Sequence, residues 1–103
     1  MAVGTILIQR LSIDNDMGYY EVSTNDFDVK NFYMCIDKSK KTIKYFLKKD
    51  FNDDPIHMVD FNNKDEPIGS IPGVPMKVFT VTLMRSLEVF KTDTFPERLS
   101  YAT

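Results

Sequence analysis

Residues 5–13 are apolar on both faces that a strand would present: Ile6 and Ile8 fall on one side, Leu7, Leu11 and Ile13 on the other. Such a pattern suits a strand covered twice rather than one open to water. The run Asp14-Asn15-Asp16-Met17-Gly18 closes it as a five-residue turn, and residues 19–24, β-favouring through Val22 and Thr24, pair back as a hairpin. Polar residues around Phe27 and Val29 interrupt. Strand character resumes over 32–36, with Phe32, Met34 and Ile36 on one face and Tyr33 and Cys35 on the other. After the polar loop 37–41, residues 42–48 alternate, setting Ile43, Tyr45 and Leu47 against Lys44, Phe46 and Lys48. A fifth, shorter strand is expected over 56–61.

The prolines and glycines of 67–75 exclude regular structure, yet Ile68, Ile71 and Val74 ask for burial, which predicts an ordered loop packed on the domain. From 76 to 91 the spacing of Met76, Phe79, Leu83, Leu87 and Phe90 predicts an amphipathic helix with Lys77, Arg85, Glu88 and Lys91 outward. Phe79, Val81 and Leu83 alternating with threonines would also pass as a strand; the length of the segment and the proline before it favour the helix. Thr94 and Glu97 have capping-box spacing, predicting a last helical turn that sets Leu99 and Tyr101 against the core. The expected fold is α+β, an antiparallel β-meander of about five strands followed by one C-terminal amphipathic helix packed on one face, a single domain over 1–103.

Composition adds boundaries. An apolar share of 43% and a charged share of 27% are ordinary for a globular chain, and the net charge of −2 disfavours global steering toward nucleic acid or anionic membrane. Cys35 is the only cysteine, so no intramolecular disulfide can form and cysteine-based zinc patterns are excluded. Apolar runs are too short for a signal-peptide core or a membrane span, and a cytoplasmic location is expected.

Motifs for chemistry are sparse. Cys35 and His57, the sole cysteine and sole histidine, have no nucleophile motif around them. The acidic groups Asp14/Asp16, Asp26/Asp28, Asp50/Asp53/Asp54 and Asp60/Asp65/Glu66 sit at turns, and none completes a calcium loop. Residues 69–75 lack the glycine spacing and Gly-Lys-Ser/Thr of a phosphate cradle. No metal or cofactor is expected. Lys38, Lys40, Lys41, Lys44, Lys48 and Lys49 interleave with Tyr45 and Phe46 like a small stacking platform for single-stranded nucleic acid, although that hairpin has no arginine, has acidic neighbours, and carries the lysines that commonly guard sheet edges.

One helix covers one face of a sheet, which leaves Tyr33, Cys35 and Phe46 on the other. The expectation is a non-enzymatic protein-binding domain, concretely a bacterial immunity-type antagonist that covers a toxic partner. Small size, mild acidity and a start at Met1 suit it. Tyr33 and Phe46 would be the aromatic anchors, and Asp14, Asp16, Asp53 and Asp54 would meet a basic toxin domain. The alternatives are a homodimer pairing through the first strand and a nucleic-acid binder using the lysine hairpin.

Overall fold

The structure, a computed structural model, describes residues 5–24, 29–63, 65 and 67–102. The expectations for Asp26, Phe27, Asp28, Glu66 and the first four residues, and for the side chain of Tyr101, lie outside what is described. Strands β1 (Thr5–Asp14), β2 (Met17–Thr24), β3 (Phe32–Asp37), β4 (Thr42–Phe46) and β5 (His57–Asp60) form the expected meander, helix α1 (Met76–Phe90) follows, and β6 (Arg98–Ala102) closes the chain. All pairs are antiparallel, in the order β5-β4-β3-β2-β1-β6.

The first hairpin is tighter than the sequence suggested. Asp14 pairs with Met17, leaving Asn15 and Asp16 as the turn, and Asn15 takes the left-handed conformation at φ 55°, a region that asparagine tolerates. A bulge between Arg10 and Ser12 shifts the register. Ile6 and Ile8 stay on the core face while Ile13 reaches solvent. In the β3–β4 turn, Asp37 Oδ1 accepts from the Ser39 and Lys40 N–H groups at 3.0 and 3.1 Å, and Lys41 is left-handed at φ 53°.

The last segment differs from expectation. Residues 98–102 are a sixth strand on the edge of β1, not a helical turn. The Arg10 N–H donates to Glu97 O at 2.8 Å and the Arg10 guanidinium meets the Glu97 carboxylate at 3.5 Å. Glu97 thus steers the chain into the ladder instead of capping a turn, and a row of strand hydrogen bonds outweighs one helical turn. β2 lies along one edge of β1 and β6 along the other over Thr5–Gln9.

Ile6, Ile8, Tyr20, Val22, Phe32, Met34, Ile36, Ile43, Tyr45 and Val59 form the inner face of the core. α1 packs on the inner face of the sheet: Phe79 rests on Tyr45 and His57, with ring centroids 5.4 and 5.6 Å away, and Phe90 on Phe61 at 5.4 Å. Its buried stripe is Val78, Phe79, Val81, Thr82, Leu83, Ser86 and Val89. Met76, Met84 and Leu87 point outward, exposed by 57, 57 and 42%. The expectation that Met76 and Leu87 face inward therefore fails. Thr82 Oγ1 donates to Phe79 O at 2.6 Å and Ser86 Oγ to Thr82 O at 2.7 Å, so these hydroxyls satisfy themselves on the helix and act as small residues that permit close approach. Of the 67–75 loop, Ile71 is buried and Ile68 is not.

Residues 91–97 cross from α1 to β6 beneath the turns. Lys38 Nζ donates to Thr92 O and Thr94 O, both at 2.7 Å, and stands 4.5 Å from the Phe95 ring centroid. Tyr20 OH donates to Pro96 O at 2.8 Å, and Arg10 to Phe95 O at 2.6 Å. Phe95 packs so closely on Gly18 that an added Cβ would collide with its ring. No helix among the described residues is long and apolar enough to cross a membrane.

Candidate protein-binding surface

The surface is built at the end of β4. Alternation stops at Phe46, so Leu47, which the sequence pattern placed on the core face, leaves the sheet and is 54% exposed. Short-range polar contacts then fold the chain back. Asp50 N–H donates to Lys48 O at 2.7 Å, Asp50 Oδ1 accepts from Asn52 N–H at 3.1 Å, and Asp54 N–H donates to Asp53 Oδ1 at 2.9 Å. Acidic residues and asparagine do this readily because their side chains bond the backbone one or two residues on.

The folded loop sets Phe51 on the outer face of the sheet. Its ring centroid is 4.7 Å from Tyr19, 5.3 Å from Phe46 and 6.3 Å from Tyr33, within the range of favourable aromatic packing. The expected opposition of helix and bare face is thereby resolved: a loop covers part of the second face. Phe46 is only 4% exposed and is no exposed anchor; Tyr33, its register partner, is half-buried. Burial, followed by a hydrogen bond and the charge of Glu21, raises the Tyr33 phenol. Cys35 is buried in the same layer, and burial with the nearby Asp37 charge pushes its thiol up to about 11 against the opposing effect of Lys44.

Around this lid the exposed groups include Leu47, Ile56, the carboxylates of Asp50, Asp53 and Asp54, and the cations Lys48 and Lys49. Leu47, Ile56, Phe46, Lys48, Asp50, Asp53 and Asp54 line a shallow cavity of about 170 Å³. Leu47 also borders a second cleft of about 240 Å³ with Val29, Phe32 and Val74, which makes it a ridge between two hollows. No protein-family model, curated protein or solved structure matches the chain.

The residues singled out from sequence divide into two places. Tyr33, Phe46, Asp53 and Asp54 gather at this corner. Asp14 and Asp16 lie at the β1–β2 turn beside Lys38, whose N–H donates to Asp16 O at 2.9 Å. That turn adjoins the start of β4, whereas the acidic loop springs from its end. Cys35 and His57 are on opposite faces: Cys35 pairs with Lys44 on the outer face, while His57 pairs with Tyr45, stacks on the core and bonds Ile68 O at 2.6 Å. They cannot form a dyad. Tyr45 and Phe46 are buried and Lys38 is held on the 91–97 segment, so the lysine hairpin offers no stacking platform. Sequence reasoning missed Phe51, Leu47 and Ile56; a lone aromatic inside an acidic turn was the available signal for Phe51.

Proposed function

We propose that the protein is a protein-binding domain that captures a basic partner at the corner where β4 ends. What supports this reading is one juxtaposition: exposed Leu47 and Ile56 beside Asp50, Asp53 and Asp54. An apolar centre with a charged rim is the usual anatomy of a protein interface. Carboxylates at the rim hasten encounter with a cationic surface, and the desolvated apolar centre holds the complex. A bacterial immunity-type antagonist, docking on a basic toxin domain in the cytoplasm, is the specific form of the proposal. Tyr33 and Phe46 act from beneath, as the bed on which Phe51 fixes the loop, and Asp14 and Asp16 lie outside the footprint.

Affinity capture from the native host tests it, with the full chain as bait against Leu47→Asp and Asp53→Lys/Asp54→Lys. The unaltered chain should retain a stoichiometric basic protein. Loss of one hot-spot residue typically costs more than about 1 kcal/mol, so Leu47→Asp should weaken the complex at least about fivefold through faster dissociation. The charge reversal should slow association and remove its salt dependence. Retention of the same partner with unchanged rates by both variants would refute the assignment of this corner.

A further inference from the structure

We infer that residues 91–102 are a C-terminal latch that opens and closes on the sheet as one unit, with Lys38 as its catch. The observation is that the start of this arm is tied down by side chains of other elements. Lys38 Nζ donates to Thr92 O and Thr94 O at 2.7 Å, Arg10 to Phe95 O at 2.6 Å, and Tyr20 OH to Pro96 O at 2.8 Å. All four bonds end on backbone carbonyls of a stretch with no helix or strand of its own. Of residues 91–99 only Phe95 and Leu99 are buried, and β6 stands at the end of the strand order, paired along β1. An edge segment with few buried apolar groups opens at lower cost than the core.

Lys38 reaches farthest of these ties. It stands in the turn between β3 and β4, its own N–H donates to Asp16 O at 2.9 Å, and its ammonium lies 4.5 Å from the centroid of the Phe95 ring that fills the space over Gly18. One residue thus joins two turns to the arm, and bonds from a charged donor are stronger than neutral ones. Opening has a definite consequence for β1. The bond from Arg10 N–H to Glu97 O fixes the phase of the ladder, so the N–H groups of Ile6, Ile8 and Arg10 point at β6 while those of Leu7 and Gln9 point at β2. When the latch opens, the first set meets water and the second does not. The latch therefore decides whether the sheet ends at β6 or at β1.

This opening is separable from global unfolding. A substitution that weakens a contact present only when the arm is closed lowers the cost of opening, whereas one that weakens a contact kept in both forms leaves that cost alone. Lys38 is of the first kind. Phe51, whose ring lies on Tyr19, Phe46 and Tyr33, is of the second. The corner where β4 ends takes no part in the latch, and the inference does not depend on the proposed partner.

Hydrogen exchange of the full chain, read amide by amide by NMR under native conditions, tests it. Ile8, Arg10 and Leu99 should exchange together and be at least about tenfold less protected than Leu7 and Gln9, with a weaker dependence on added urea because little surface is bared. Lys38→Met, which keeps the stem and removes the ammonium, should speed the first three by about tenfold. Phe51→Ala should leave them unchanged while speeding Leu7 and Gln9. Equal protection of the neighbouring amides along β1 overturns the latch. So does equal acceleration of all five amides by Phe51→Ala, and a Lys38→Met chain in which Ile8, Arg10 and Leu99 keep their original rates overturns Lys38 as the catch.

Discussion

Replacing Phe51 by alanine tests whether the β4–β5 loop is a fitted cover or only lies near the sheet. Phe51 touches Tyr19, Phe46 and Tyr33 from one side and remains half-open to solvent on the other. A fully buried Phe→Ala change costs about 3–5 kcal/mol. Half burial, on a loop free to relax, scales that to about 1–2 kcal/mol. In urea the midpoint should fall by roughly 0.5–1 M with little change in slope, since the slope follows the total surface exposed on unfolding.

A second readout separates local from global effects. Cys35 sits in the outer layer between Tyr19 and Lys44 in register, so a thiol reagent reaches it when the cover lifts. Weakening the cover by about 1–2 kcal/mol should multiply the open population, and hence the labelling rate under native conditions, by about 5–30. Phe51→Leu should fall between. A midpoint shifted by less than about 0.1 M together with an unchanged labelling rate would refute the role of Phe51 as a cover, because no cover that contributes stability can be removed silently.

Two further outcomes follow from groups inside the fold. Tyr45 OH lies 2.8 Å from Thr82 Oγ1, whose own proton goes to Phe79 O, so Tyr45 is the donor. Thr82→Val should cost about 1–3 kcal/mol by stranding that phenol, and adding Tyr45→Phe should recover part of the loss; equal or greater destabilisation of the double variant in urea melts would contradict the pairing. Burial pushes the Cys35 thiol up to about 11 and the Tyr20 phenol up to about 12, and raises Tyr45 as well. Above the unfolded thiol's value of about 8.5 the unfolded chain loses protons that the folded chain keeps, so stability is fully present below that pH and declines as pH rises toward 12. Cys35→Ala should delay the onset to about pH 10, where the unfolded phenols titrate. Urea melts between pH 7 and 11 that show no decline would contradict the burial of these groups.

The strands were legible because alternation is a direct imprint of the pleat, and the five expected strand cores, around Ile8, Val22, Met34, Ile43 and Val59, fall where the structure has them. The extent of α1 was legible too, but its orientation was not. Apolar character pointed to Met76 and Leu87, whereas the sheet selected Thr82 and Ser86, whose hydroxyls cost nothing to bury once bonded within the helix. β6 was hidden because five residues without strong alternation declare themselves only beside an open edge, and that edge belongs to a strand some ninety residues earlier. Of the two apolar faces of β1, Ile6 and Ile8 are buried in the core, while on the other Leu7 and Leu11 are half-buried and Ile13 is exposed. At the candidate surface, Asp53 and Asp54 stood out by charge, while Leu47 was misplaced by extending an alternation one residue beyond the strand's end. Phe51 belongs to no period at all. A residue whose role is to close a gap between distant strands leaves no local pattern, so the lid that determines which apolar groups meet solvent had to come from the folded chain.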